Sequence, residues 1–120
     1  MDYEKLEKMV NEQLVASLGL VTPSGLPHNT PVWASYFEKF IYIFSRSGRN
    51  KAMFAKQNPN CMVAFKNGAV RGKIELLQRG TPEYEEVMDI PDTRYRENPN
   101  YEKYKRNWDI AFKISPSRLY

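Results

Sequence analysis

Of the seven residues 45–51, six carry donors suited to an anion. After the apolar run Ile41, Tyr42, Ile43, Phe44 the chain reads Ser45, Arg46, Ser47, Gly48, Arg49, Asn50, Lys51, which supplies two hydroxyls, two guanidiniums, an amide and an ammonium. A short helix is predicted to start at Lys51, capped by Asn50, and to end at Asn58-Pro59, because the residue before a proline avoids helical geometry. A helix N-terminus presents unpaired N–H groups and partial positive charge, where charge-assisted bonds to a phosphate are favourable. A β-rich strand, a cationic loop and a helix start therefore read together as a phosphate site. The competing reading is an exposed basic turn.

The distribution of charge favours the first reading. The formal net charge is only +4, but residues 46–73 hold seven Lys/Arg and no acid, whereas residues 75–92 hold six acids and one base, Arg79. Such segregation points to an anionic ligand, a phosphate-bearing small molecule or nucleic acid. No G-x-x-x-x-G-K-[ST] or G-x-G-x-x-G occurs, which removes P-loop and dinucleotide-fold readings, and no G-x-S-x-G places a serine nucleophile. With one histidine, His28, and one cysteine, Cys61, the chain can form neither a Cys/His zinc site nor an internal disulfide. His28 reads as a surface or loop histidine and Cys61 as a small buried apolar residue, so no catalytic or metal-ligating residue is assigned.

The elements that must position the loop can be read in order. Tyr3, Leu6, Met9, Val10 and Leu14 recur at helical spacing and predict an amphipathic helix over residues 2–12 that packs as a lid. Residues 14–22 predict a strand ending at the turn Pro23-Ser24-Gly25, with Gly19 marking a bend or bulge. Residues 28–37 form the next strand, with Pro31 at an edge or opening, and Glu38-Lys39 turns the chain into residues 40–45. Asn67-Gly68 predicts a primed two-residue turn between strands 61–65 and 69–77. An acidic helix follows over residues 82–89. A second starts at Asn98-Pro99 and runs to about Arg106, burying Tyr101, Tyr104 and Trp108, and a last strand from Trp108 to Ile114 is stopped by Ser115-Pro116. The fold class is thus mainly β (α+β), an antiparallel barrel with helices packed on it.

With 120 residues, 42% hydrophobic and 27% charged, the chain is expected to form one globular domain. No apolar run approaches the roughly 20 residues of a membrane span, and residues 1–12 resemble neither a secretory nor a transit signal, so a cytoplasmic location is expected. Residues 94–108 contain five bases, two acids and four aromatics. They read either as an amphipathic helix or, as the alternative, as a small basic nucleic-acid-binding surface running from Arg94 to Trp108. The helix is the simpler reading.

In order and spacing, the chain resembles the FMN-binding split β-barrel proteins typified by pyridoxamine 5′-phosphate oxidase, over residues 14–117. The resemblance rests on L-V-A-S-L-G-L-V-T-P-S-G-L-P-H-N-T-P-V-W, on I-Y-I-F-S-R-S-G-R-N-K-A with N-P eight residues after Lys51 counting to the proline, on R-G-K-I-E-L, and on a closing I-A-F-K-I-S-P. It implies a six-stranded antiparallel split β-barrel with flanking helices, one domain over residues 1–120, and FMN at a homodimer interface. By resemblance Ser45, Arg46 and Ser47 meet the phosphate or the flavin pyrimidine edge, Arg49, Asn50 and Lys51 hold the phosphate, and Val32, Trp33 and Ala34 run alongside the isoalloxazine ring. Some relatives use a deazaflavin coenzyme instead. The pyridoxamine oxidase pattern has further basic residues on the strand where this chain has only His28, and a substrate-gripping Arg/His region with no counterpart before Tyr120. The expectation is therefore a different flavin-dependent oxidoreductase acting on an unidentified small molecule, or a non-catalytic flavin carrier, with neither membrane nor nucleic acid as partner.

Overall fold

The computed structural model describes residues 1–48 and 50–120. Among them six strands and five helices occur in the order α1 (Tyr3–Asn11), β1 (Val15–Val21), β2 (Pro27–Phe37), β3 (Phe40–Ser45), α2 (Asn50–Gln57), β4 (Asn60–Phe65), β5 (Gly68–Gln78), α3 (Pro82–Val87), α4 (Asp89–Arg94), α5 (Tyr101–Lys105) and β6 (Ile110–Leu119). The strands close into an antiparallel barrel ordered β1-β2-β3-β6-β5-β4. Alternation along β5 puts Val70, Gly72 and Ile74 inward and Arg71, Lys73 and Glu75 outward, as a strand with one wet face requires.

β2 changes partner midway, and this opens the barrel. Residues 27–33 pair with β1, from Val21↔Pro27 to Val15↔Trp33, and residues 34–37 pair with β3, from Ala34↔Ile43 to Phe37↔Phe40. β3 continues alone on that side, while its other edge stays paired with β6 as far as Ser45↔Ile110. The barrel is therefore split between the first half of β2 and the end of β3. Pro31 lies in the half of β2 that has β1 on one edge and no described strand on the other, where a missing N–H is tolerated.

The interior is filled by residues such as Leu18, Ile41, Ile43, Val63, Val70, Phe112 and Ile114, all essentially inaccessible. α1 starts at Asp2, whose side chain accepts the Lys5 N–H, and it closes one end of the barrel with Leu6, Met9 and Val10. Leu14, expected on the same face, is instead exposed just before β1. A second apolar cluster, Tyr42, Phe44, Leu77, Tyr84 and Ala111, lies on the outer face of the sheet. α3, capped by Thr81, covers it with Tyr84 and Val87.

Several local expectations need correction. Gly19 sits in regular ladders, opposite Asn29 and Met62; a Cβ there would lie 2.8 Å from Asn29 Oδ1, so close approach rather than a bulge explains it. The irregularity is between Arg71 and Gly72, where β6 continues through Ser115-Pro116 instead of stopping. Pro116 has no N–H to donate, and a shift of register beside it lets pairing resume at Arg71↔Arg118. The β4–β5 turn is Lys66-Asn67, one residue earlier than expected, and neither residue has positive φ, so it is not a primed turn. The primed-type conformation occurs instead at Glu38-Lys39, with φ of 48° and 77°. The acidic helix ends at Val87, α4 follows as an additional helix, and the next helix starts at Tyr101 rather than at Asn98-Pro99.

Candidate functional site

The cationic loop leaves the end of β3, at the split, and returns as α2. Ser45 is buried, its carbonyl accepting the Asp109 N–H at 3.0 Å. Arg46, Ser47 and Asn50 are exposed and Lys51 is half-buried. Asn50 is the first described residue of α2 rather than its cap, and Arg49 lies outside the described residues. α2 buries Ala52, Phe54 and Ala55 and packs on β1 and β5, with Phe54 edge-on to His28 at 5.0 Å. His28 is thus a packing partner at the start of β2.

The loop also has an acid that its own segment does not contain. Asp109, in the residue pair preceding β6, accepts the Ser47 N–H at 2.6 Å and the Ser47 hydroxyl at 2.7 Å. The hydroxyl bond in particular pulls the Asp109 carboxyl below its ordinary value, partial burial opposes it, and Arg79 adds to the lowering. Residues 46–73 are acid-free in sequence, yet sheet pairing of Ser45 with Ile110 brings this carboxylate to the loop. Sequence spacing of 62 residues gave no signal of it.

Across the split, Val32 and Ala34 face the core, and Trp33 points to the other side. Trp33 lies 4.9 Å from the Tyr95 ring and 5.2 Å from that of Tyr104. From there a run of ring contacts passes through Tyr101 and Trp108 to Phe44 on β3, at centroid spacings of 6.0, 5.9 and 5.5 Å. Residues 95–108 thereby bridge the two edges of the split with aromatic side chains. The Ser35 hydroxyl and Tyr95 hydroxyl are hydrogen-bonded at 2.7 Å beneath them.

This arrangement engages part of the surface that could have contacted nucleic acid, while Arg96, Lys103 and Arg106 stay exposed. Tyr95 and Tyr101 are buried, Arg94 donates to the carbonyls of Val10, Gln13 and Ala34, and Lys105 pairs with Asp92 at 2.7 Å. The Asp92 carboxyl is disfavoured by burial, but hydrogen bonds from Lys105 and Tyr101 prevail and lower its pKa. Tyr104, at 42% exposed, departs from the expected burial, and Trp108 is only half-buried. The stretch acts as a packed cover. Cys61 is buried, and desolvation pushes its thiol up to about 12, as fits a structural residue.

The donor set at residues 45–51 suits a phosphate: the Arg46 guanidinium is exposed, and Asn50 and Lys51 lie in the first turn of an eight-residue helix, where backbone N–H groups lack intrahelical acceptors. Asp109 limits it, because a phosphate would share Ser47 with a carboxylate. Among the described residues no group of three or more His, Cys, Asp or Glu could hold a metal ion, and no helix is long and apolar enough to cross a membrane.

No protein-family model matches the chain, and no curated protein matches it significantly. Solved structures do. A Bacteroides thetaiotaomicron protein provisionally described as a 5-nitroimidazole antibiotic resistance protein is 18% identical, with a TM-score of 0.77 over 98% of this chain and 81% of its own. An FAD-binding protein from Mesorhizobium loti is 17% identical, with a TM-score of 0.74 over 99% and 92%. An F420 reductase is 20% identical, with a TM-score of 0.68 over 95% and 94%. The fold of this chain is accordingly that of the pyridoxamine 5′-phosphate oxidase-like split β-barrel.

Proposed function

We propose that the chain binds a flavin-type cofactor, FMN foremost, at the split of the barrel, and that it works as a homodimeric flavin-dependent oxidoreductase on a small molecule. The observation that carries this reading is the parting of β2 and β3 beyond Ala34↔Ile43, which leaves Val32 and Trp33 without a strand on the β3 side, beside the cationic loop. Arg46, Ser47, Arg49, Asn50 and Lys51 would bind the phosphate, with Ser45 at the base of the loop. Val32, Trp33 and Ala34 would flank the ring, with backbone groups of the open edge offered to it. A bound flavin supplies hydride and electron transfer; the protein contributes orientation and electrostatics. Similar structures described as an FAD-binding protein and an F420 reductase support a flavin or deazaflavin ligand.

The phosphate is the discriminating group, so the test compares FMN with riboflavin. FMN should bind at micromolar concentration with quenched fluorescence, and riboflavin at least about tenfold more weakly, since charge-assisted bonds to the phosphate are lost. Lys51→Ala combined with Arg49→Ala should remove most of the difference. Absence of binding by FMN, FAD and F420 alike overturns the reading. Flavin that binds but is not reduced by a nicotinamide donor would assign the chain to carriage rather than catalysis.

A further inference from the structure

A second cavity, on the other side of the β2–β3 hairpin from the cationic loop, has the chemistry of a site for a positively charged molecule. It has a volume of about 700 Å³ and lies between the outer face of β2, β3 and β6 and the helices α3 and α4. That size suits a small organic ligand. Its floor is a cross-strand row: Ser35 pairs with Tyr42, and Tyr42 with Lys113. Phe37 and Phe40, opposite each other in the same ladder, add an aromatic wall.

Three observations bear on what it would hold. First, Tyr42 is 95% buried, lines the cavity, and has no hydrogen-bond partner for its hydroxyl among the described residues. Its oxygen is not fully occluded, so a ligand or water in the cavity can reach it. Second, Glu38, Glu86 and Asp89 line the cavity without an ion pair or hydrogen bond among the described residues. Of the two cations in the lining, Arg94 is committed to three carbonyls and Lys113 to Glu83. Third, the cavity already holds one ammonium group: Lys113 Nζ lies 4.4 Å from the centre of the Phe40 ring and 3.6 Å from Glu83. An ammonium over an aromatic face beside a carboxylate is a favourable arrangement.

We propose that this cavity binds a small organic amine, its ammonium group placed among Glu38, Glu86 and Asp89 within reach of the Tyr42 hydroxyl, and its apolar body against Phe37 and Phe40. Anions are disfavoured by the unpaired carboxylates. Burial, with Glu83 and Glu38 next in effect, also raises the Tyr42 pKa, which keeps its hydroxyl protonated and places those carboxylates within electrostatic reach of it. The site does not involve residues 45–51 and so stands apart from flavin binding.

A matched set of probes tests it: 2-phenylethylamine, 2-phenylethanol and 3-phenylpropanoate, titrated into the full chain and followed by amide NMR shifts, with and without FMN. The amine should saturate shifts at residues 35–42 and 83–94, the alcohol should bind more weakly, and the carboxylate should not bind there. Glu86→Gln with Asp89→Asn, both at exposed positions, should weaken the amine about tenfold, and added salt should do the same. Tyr42→Phe keeps the ring and should weaken it severalfold. Equal binding of amine and carboxylate, no saturable shift at these residues with millimolar amine, or unchanged affinity in the folded double variant would each overturn the proposal.

Discussion

Ser47 gives both of its donors to Asp109, its N–H at 2.6 Å and its hydroxyl at 2.7 Å, across 62 residues of sequence. The pair ties the cationic loop to the start of β6. Because the folded carboxyl has a lowered pKa, the pair's contribution is complete above the ordinary aspartate value of 3.8 and disappears as pH falls below it. Asp109→Asn should cost about 1 kcal/mol in urea unfolding at neutral pH, as expected for hydrogen bonds to a half-exposed charged group. It should also flatten the decline in stability below about pH 4. The same change removes a negative charge beside the loop, so affinity for inorganic phosphate should rise. A fall would show that Asp109 contributes loop geometry more than charge.

Arg94 connects the end of α1 to the split. Its guanidinium donates to the carbonyls of Val10 and Gln13 at 2.8 and 2.6 Å and to that of Ala34, the last β2 residue paired with β3 in this direction. Arg94→Ala leaves three half-buried acceptors unpaired and should cost about 3 kcal/mol, read from the unfolding midpoint. Arg94→Lys should recover only part of it, since an ammonium cannot fork across three carbonyls.

Gly68 follows the β4–β5 turn at φ 154°, where an added Cβ would lie 2.6 Å from the Tyr120 carbonyl oxygen and 2.9 Å from Met9 Sδ. Backbone cannot retreat there without disturbing the Ala69–Tyr120 hydrogen bonds that follow. Gly68→Ala should therefore destabilise by about 2 kcal/mol, more than the roughly 1 kcal/mol of backbone strain alone. Thermal unfolding should show it, and a neutral outcome would mean that the C-terminal residues move aside.

The buried tyrosines set an alkaline limit. Burial raises the pKa of Tyr42, Tyr84, Tyr95 and Tyr101, Tyr84 to about 12. Each favours its neutral form in the fold, so its contribution is whole below the ordinary value of 10.0 and is lost as pH rises through the higher folded value. Tyrosinate absorbance of these four should appear together with loss of structure above about pH 10. Phenylalanine at position 84 should shift that transition upward.

Residues that speak through their neighbours in sequence were legible. The helical spacing of Tyr3, Leu6, Met9 and Val10, Pro59 after Asn58, and the β-rich run of residues 69–77 specify a helix, a helix stop and a strand because side-chain period, proline sterics and β propensity act within a few positions. The run of donors at residues 45–51 was visible for the same reason, and the order of β-rich segments sufficed for a barrel. Pairing across the sheet was not legible. Nothing local tells Ser115-Pro116 that a register shift at Arg71/Gly72 will carry β6 onward, or tells Asn67 that its turn begins one residue earlier. The site followed the same division. Sequence alone determined which residues could hold an anion. Only the tertiary structure decided that β2 and β3 part beside them, that residues 95–108 bridge the gap with aromatic rings, and that Asp109 holds Ser47. Those contacts join segments tens of residues apart, where closure of the barrel, and not local propensity, sets who meets whom.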